Sequence, residues 1–136
     1  MVIKVSNTNQ PNWTEVKVNA NLPENLHKLQ EIAYNLWWVW NSEAKNLFRS
    51  IDGEAWAKAQ SNPIVLLYIL SYDRMLELSK DKKFMKQLDA IYAEFRAYMD
   101  EPKDAAKPSV AYYSMEYGLS HVLKIYSGGL GVLAGD

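Results

Sequence analysis

Ser109-Val-Ala-Tyr-Tyr-Ser-Met-Glu116 and, after a short bend, Tyr126-Ser-Gly-Gly-Leu-Gly-Val-Leu-Ala-Gly-Asp136 decide whether this chain is purely helical or enters an α/β unit. Residues 110–113 have the composition of a strand covered on both faces, as in a parallel sheet. Glu116 falls at the end of that strand, and Gly128, Gly129 and Gly131 form a turn leading into an apolar helix start. Glycine lets the backbone take positive φ and bring its N–H groups close to an anion or a sugar. Strand, acid, bend, glycine turn and helix is the order met at the carboxyl edge of an open α/β sheet, where ligands collect. Taken alone, the glycines serve equally well as a tight strand-to-helix turn.

Working outward, Asp100-Glu-Pro-Lys-Asp-Ala-Ala-Lys-Pro108 is charged, holds two prolines and lacks large apolar residues. It marks a linker, placed at 102–108, between a helical domain at 21–101 and the strand-loop-helix at 109–136. In the helical part, a first long helix is expected from Pro23 to Trp40, with Leu26, Leu29, Ala33, Leu36 and Trp40 on one face. Trp37 shares that side, whereas Trp38 points away and is expected at the surface or between domains. Three tryptophans within four residues also raise stacking on a sugar ring, but the spacing of Trp37 and Trp40 favours the core.

Further helix starts follow at Asn41, Asp52 and Asn62-Pro63, each an N-cap residue with an acid or proline in the first turn. Residues 64–70 are apolar on every side and are expected as a buried helical segment. Ser71 caps the next helix, and Asp81 opens a last one running to about Met99, with Phe84, Leu88, Ile91, Phe95 and Tyr98 opposite Lys86, Asp89 and Glu94. The basic run around Lys80, Lys82 and Lys83 sits at a helix start, where the dipole offers it nothing, and reads as a solvated corner. Residues 1–20 form a polar arm in which 14–19 alternate as a short strand.

The chain has 136 residues, 49% of them hydrophobic, enough for one cored domain or one domain and part of another. The net charge of −1 with interspersed signs argues against nucleic acid and anionic lipid as partners. No cysteine and two histidines leave no thiolate chemistry and little basis for a metal cluster. No leader pattern and no apolar run of membrane length occur, so the cytoplasm is the expected compartment.

Residues 112–119 and 125–136 resemble the start of the catalytic region of α-glucan phosphorylases, the glycogen and maltodextrin phosphorylase family. Residues 21–26 and 33–41 resemble the extra N-terminal helical domain of one compact bacterial and archaeal branch of that family. The resemblance implies a mainly α chain: a helical accessory domain followed by the first strand-loop-helix of a Rossmann-like domain, cut short at Asp136. It implies an enzyme that transfers a glucosyl unit from an α-1,4-glucan to inorganic phosphate, giving glucose 1-phosphate, with pyridoxal phosphate as cofactor. Gly129 and Leu130 would line the pocket for the glucosyl unit and phosphate. Gly128 and Gly131 complete the loop, and Glu116 would hydrogen-bond and position rather than attack. The lysine that carries the cofactor belongs to a second domain not in this sequence, so the 136 residues alone are expected to be inactive. Assembly with copies of itself is compatible with this reading.

Better-known animal members separate the acid motif from the glycine loop by a long helical segment, whereas here 117–127 is short, so their regulatory contacts do not carry over. His121 and Lys124 in this bend receive no role. A sugar-nucleotide glucan synthase is the alternative enzyme, but it places a lysine two residues before the first glycine, where this chain has Tyr126. A helical glucan-binding or adaptor module without chemistry is the alternative outside enzymes. A P-loop is excluded, because no Gly-Lys-Ser/Thr follows the glycines.

Overall fold

The computed structural model describes residues 22–102, 108, 110–125 and 128–135; the strand expected at 14–19 and most of the linker lie outside them. Among the described residues the regular elements are all helical: α1 (His27–Ala33), α2 (Ser42–Ile51), α3 (Gly53–Lys58), α4 (Pro63–Ile69), α5 (Tyr72–Lys80), α6 (Lys82–Met99) and α7 (Gly129–Gly135), while residues 110–125 form turns and irregular chain. Two 3₁₀ turns, Glu24–Leu26 and Leu36–Val39, flank α1.

The expected caps close the helix starts. Asn41 accepts from Ala44 N–H at 2.8 Å, Asp52 from Ala55 at 2.9 Å, and Asn62 from Ile64 at 3.0 Å with Pro63 in the first turn. Ser71 accepts from Arg74 N–H at 3.3 Å and Asp81 from Lys83 at 2.8 Å. Each satisfies an amide that has no partner inside its helix, worth about 1 kcal/mol. The Arg74 guanidinium does the same for a C-terminus, donating from Nε and Nη2 to the Ile51 carbonyl at 3.1 and 2.9 Å.

The long helix α6 packs against α1, α2 and α5. Its buried Phe84, Leu88, Ile91 and Phe95 meet Leu29 and Ile32 of α1, Leu47, Phe48 and Ile51 of α2, Leu66 of α4 and Met75 of α5 in one apolar core. Fully burying each such side chain is worth roughly 1.5–3 kcal/mol. Trp56 stacks on Phe48 with centroids 6.3 Å apart, sealing the α3 side.

The structure departs from five expectations. The helix foreseen from Pro23 to Trp40 breaks at Tyr34 and Asn35. Asn35 is extended (φ −116°, ψ 130°), and its Oδ1 caps the following turn by accepting from Trp37 N–H at 2.9 Å. This reverses the tryptophans: Trp38 is buried at 3% exposure, Trp37 is half-buried edge-on to Phe95, and Trp40 is 64% exposed. A continuous α-helix advances about 100° per residue, but an extended residue resets the phase and a 3₁₀ turn advances about 120°.

Residues 64–69 are helical as expected but not buried all round. Leu66 and Leu67 face the core, while Ile64, Val65, Tyr68 and Ile69 are exposed. Tyr98, in the last turn of α6, is exposed as well. Residues 110–113 form no strand, and Tyr113 is 91% exposed. A single extended segment has no neighbour to pair its ladder groups and no layer to cover it.

After residue 110 the chain returns to the helical unit. Val122 packs against the core, and His121 Nε2 lies 2.8 Å from the Gln60 carbonyl. A carbonyl only accepts, so Nε2–H donates. Gln60 and Ser61 take left-handed conformations (φ 52° and 57°) to turn the corner between α3 and α4, which presents that carbonyl outward.

Candidate functional site

Residues 114–118 and the first turn of α7 meet. Ser114 Oγ accepts from Glu116 N–H and donates to the Glu116 carbonyl, both at 3.1 Å, which ties the acid's backbone into a tight turn. That turn aims the carboxylate at α7, where Glu116 Oε2 accepts from Gly128 N–H at 3.1 Å. Val132 N–H donates to the Gly128 carbonyl at 3.1 Å, so Gly128 stands at the cap position immediately before α7. A carboxylate is favoured there, where unpaired amides and the helix dipole present positive charge. Gly118 N–H donates to the Gly131 carbonyl at 2.7 Å, and a Cβ on Gly135 would come 3.0 Å from the Gly118 backbone. Acid loop and helix are thus in main-chain contact, and Gly131 is buried between them.

All five expected site residues lie at this junction in sequence order. Glu116 and Gly128 bond directly; Gly129, Leu130 and Gly131 form the first turn of α7. Their amides are the ones a helix leaves without internal partners. The expected positive φ is absent, since no glycine among the described residues has one. Gly129 is open, with nothing within 4 Å of where its Cβ would stand. Leu130 is exposed. Close main-chain approach requires a glycine at Gly135, against Gly118, and not at Gly129.

Next to the acid, Tyr112, Tyr113, Ser114, Met115 and Tyr117 line a shallow cavity of about 310 Å³, which the glycine turn does not reach. Tyr117 donates to the Tyr112 carbonyl at 2.8 Å and packs edge-on against its ring. No group of three or more metal-ligating side chains occurs among the described residues.

A cleft of about 420 Å³ lies on the helical unit, lined by Asn35, Leu36, Trp37, Trp40, Asn41 and Tyr98. Sequence reasoning passed over it by assigning Trp40 and Tyr98 to the core. The available signal was Asn35, a capping residue inside an apolar run that could have marked the break. On the neighbouring face, Tyr92 donates to Glu31 Oε2 at 2.8 Å, and Lys28 pairs with Asp89 at 2.6 Å and lies 5.5 Å from the Tyr92 ring centroid. The hydrogen bond to Glu31 raises the Tyr92 pKa above 10.0, with burial and the charge of Glu31 acting in the same direction.

Curated relatives agree over most of the chain. Maltodextrin phosphorylase of Thermococcus litoralis is 42% identical over 127 residues, 88% of this chain and 15% of the relative. Glycogen phosphorylase of Aquifex aeolicus is 46% identical over 112 residues, 79% of this chain and 16% of the relative. Glycogen phosphorylase of Mycobacterium tuberculosis is 36% identical, covering 88% of this chain and 15% of the relative. The chain therefore spans about 15% of the length of the curated relatives it matches. No solved structure matches it. The family model described as "Protein of unknown function (DUF3417)" matches residues 22–123, from the first 3₁₀ turn through the segment docked by His121 and Val122, and the chain belongs to that family.

Proposed function

We propose that this chain is the N-terminal part of an α-glucan phosphorylase, which moves a glucosyl unit from an α-1,4-glucan to inorganic phosphate and releases glucose 1-phosphate. The observation carrying this reading is the junction of Glu116 with the glycine turn, in a chain whose relatives are maltodextrin and glycogen phosphorylases. Within that reading, the N–H groups of Gly129, Leu130 and Gly131 are donors for phosphate and sugar oxygens. They need no side-chain ordering and lie at the positive end of α7. The Glu116 carboxylate repels phosphate, so its part is to hold Gly128 in place and to accept from sugar hydroxyls.

Pyridoxal phosphate does not fit the residues present here. The charged group hydrogen-bonded at the junction is a carboxylate, and among the described residues no lysine bonds to it or to the glycine turn. In this reading the cofactor is held by other parts of a longer polypeptide, and no step is assigned to it on this chain.

The test is to express the complete reading frame that contains these residues and to measure glucose 1-phosphate from maltodextrin and phosphate. Turnover is expected, and Glu116→Gln should lower kcat/KM by about tenfold or more, the scale of a lost hydrogen bond to a charged group. Gly129→Val should do the same without unfolding, because its side chain enters open space where the ligand would lie. Absence of phosphorolysis, or unchanged kinetics in both variants, refutes the assignment. The 136 residues by themselves should release no glucose 1-phosphate, since one wall of a cleft cannot clamp both reactants.

A further inference from the structure

We propose that the cleft between the Leu36–Val39 turn and the last turn of α6 is a second, non-catalytic carbohydrate site, which binds a neutral α-1,4-glucan by stacking on Trp40 and Tyr98. Trp40 is 64% and Tyr98 63% exposed. Among the described residues neither joins an aromatic pair, whereas Trp37, Trp38 and Trp56 each do. Their faces are therefore unused inside the fold. The cleft's volume of about 420 Å³ falls within the common range for small-ligand sites, roughly 300–1,000 Å³.

The lining selects the ligand class. Among the described residues no lysine, arginine, aspartate or glutamate lines the cleft, so none of them there neutralises a phosphate, a nucleotide or an acidic peptide. Its polar side groups are the Asn35 and Asn41 amides and the Tyr98 hydroxyl. Both amides are held by their caps, Asn35 Oδ1 on Trp37 N–H at 2.9 Å and Asn41 Oδ1 on Ala44 N–H at 2.8 Å. Their amino groups make one contact each, Asn35 Nδ2 to the weakly accepting Met99 Sδ at 3.4 Å and Asn41 Nδ2 to Glu94 Oε2 at a long 3.4 Å. Each Nδ2 carries two hydrogens, so donor capacity remains on groups already fixed in place. A purely aliphatic ligand would cover these amides without pairing them, at a cost. A sugar ring offers apolar C–H groups on its face and hydroxyls on its rim, which matches aromatic planes flanked by rigid amides. That the saccharide is an α-glucan rests on the phosphorylase reading; that the cleft takes a neutral saccharide does not.

The experiment titrates the 136-residue chain with maltoheptaose, and with cellohexaose as the β-linked comparison, by tryptophan fluorescence and calorimetry. Saturable maltoheptaose binding is expected, about tenfold weaker in Trp40→Ala and in Tyr98→Ala, with melting temperatures near that of the parent because both side chains are exposed. Asn41→Ser keeps a cap and removes the amide donor, and should also weaken binding. No saturable response to either sugar, or equal affinity in Trp40→Ala, overturns the site. Concentration-dependent dimers that Trp40→Ala dissociates also overturn it, since the face is then an interface between copies. Equal binding of cellohexaose and maltoheptaose upholds a saccharide site and overturns its α-glucan assignment, a result independent of any phosphorolysis assay.

Discussion

At Asn35 the main chain is extended while the side chain caps the turn ahead, and this one residue sends Trp38 inward and Trp40 outward. Trp38→Ala should therefore cost about 3–5 kcal/mol, the usual penalty for emptying a buried aromatic site, and Trp40→Ala no more than about 0.5 kcal/mol. Asn35→Ala should cost about 1 kcal/mol through the lost cap. Urea denaturation followed by circular dichroism separates these outcomes, and the reverse order for the tryptophans would restore an unbroken helix. Tyr92 carries a pH dependence. Its phenol donates to Glu31, which raises its pKa in the folded state above the ordinary 10.0. The neutral phenol is the form the fold favours, so the contribution is fully present below pH 10 and is lost as pH rises through the folded value. Between pH 9 and 11.5 the parent should lose more stability than Tyr92→Phe, and parallel curves would deny the bond its role.

α7 is an element whose own sequence barely supports it. It has seven residues, three of them glycine, too few for an isolated helix and of the wrong type. What holds it is the acid loop: the Glu116 carboxylate on Gly128 N–H, and Gly118 N–H on the Gly131 carbonyl. Two glycines should consequently respond oppositely. Gly129→Ala adds a methyl in open space and should stabilise α7 by roughly 0.5–1 kcal/mol. Gly135→Ala places a Cβ 3.0 Å from the Gly118 carbonyl carbon, against main chain that cannot rotate away, and should part the loop from the helix. Amide exchange at Gly118 and Val132 is the measurement: slower or unchanged in the first variant, faster in the second.

For the molecule as a whole, the helical core and residues 110–125 are joined through His121 on the Gln60 carbonyl and Val122 on the core. His121→Ala combined with Val122→Ser should expose residues 110–125 to limited proteolysis while the core helices keep their melting transition. Loss of that transition would instead make the segment part of the core. The helical class, the helix starts at Asn41, Asp52, Asn62, Ser71 and Asp81, and the buried face of α6 were legible in the sequence. Capping is a short-range hydrogen bond, and a long amphipathic repeat specifies its own face. The order of acid and glycines was legible too, though not the bond between Glu116 and Gly128, since twelve residues separate them. Tertiary structure alone decided which tryptophan is buried, which face of α4 meets the core, and that residues 110–113 are not a strand. Each depends on what lies opposite in space: a helix phase can be reset by one capped residue, an apolar helix is buried only where neighbours reach it, and a strand exists only beside another strand.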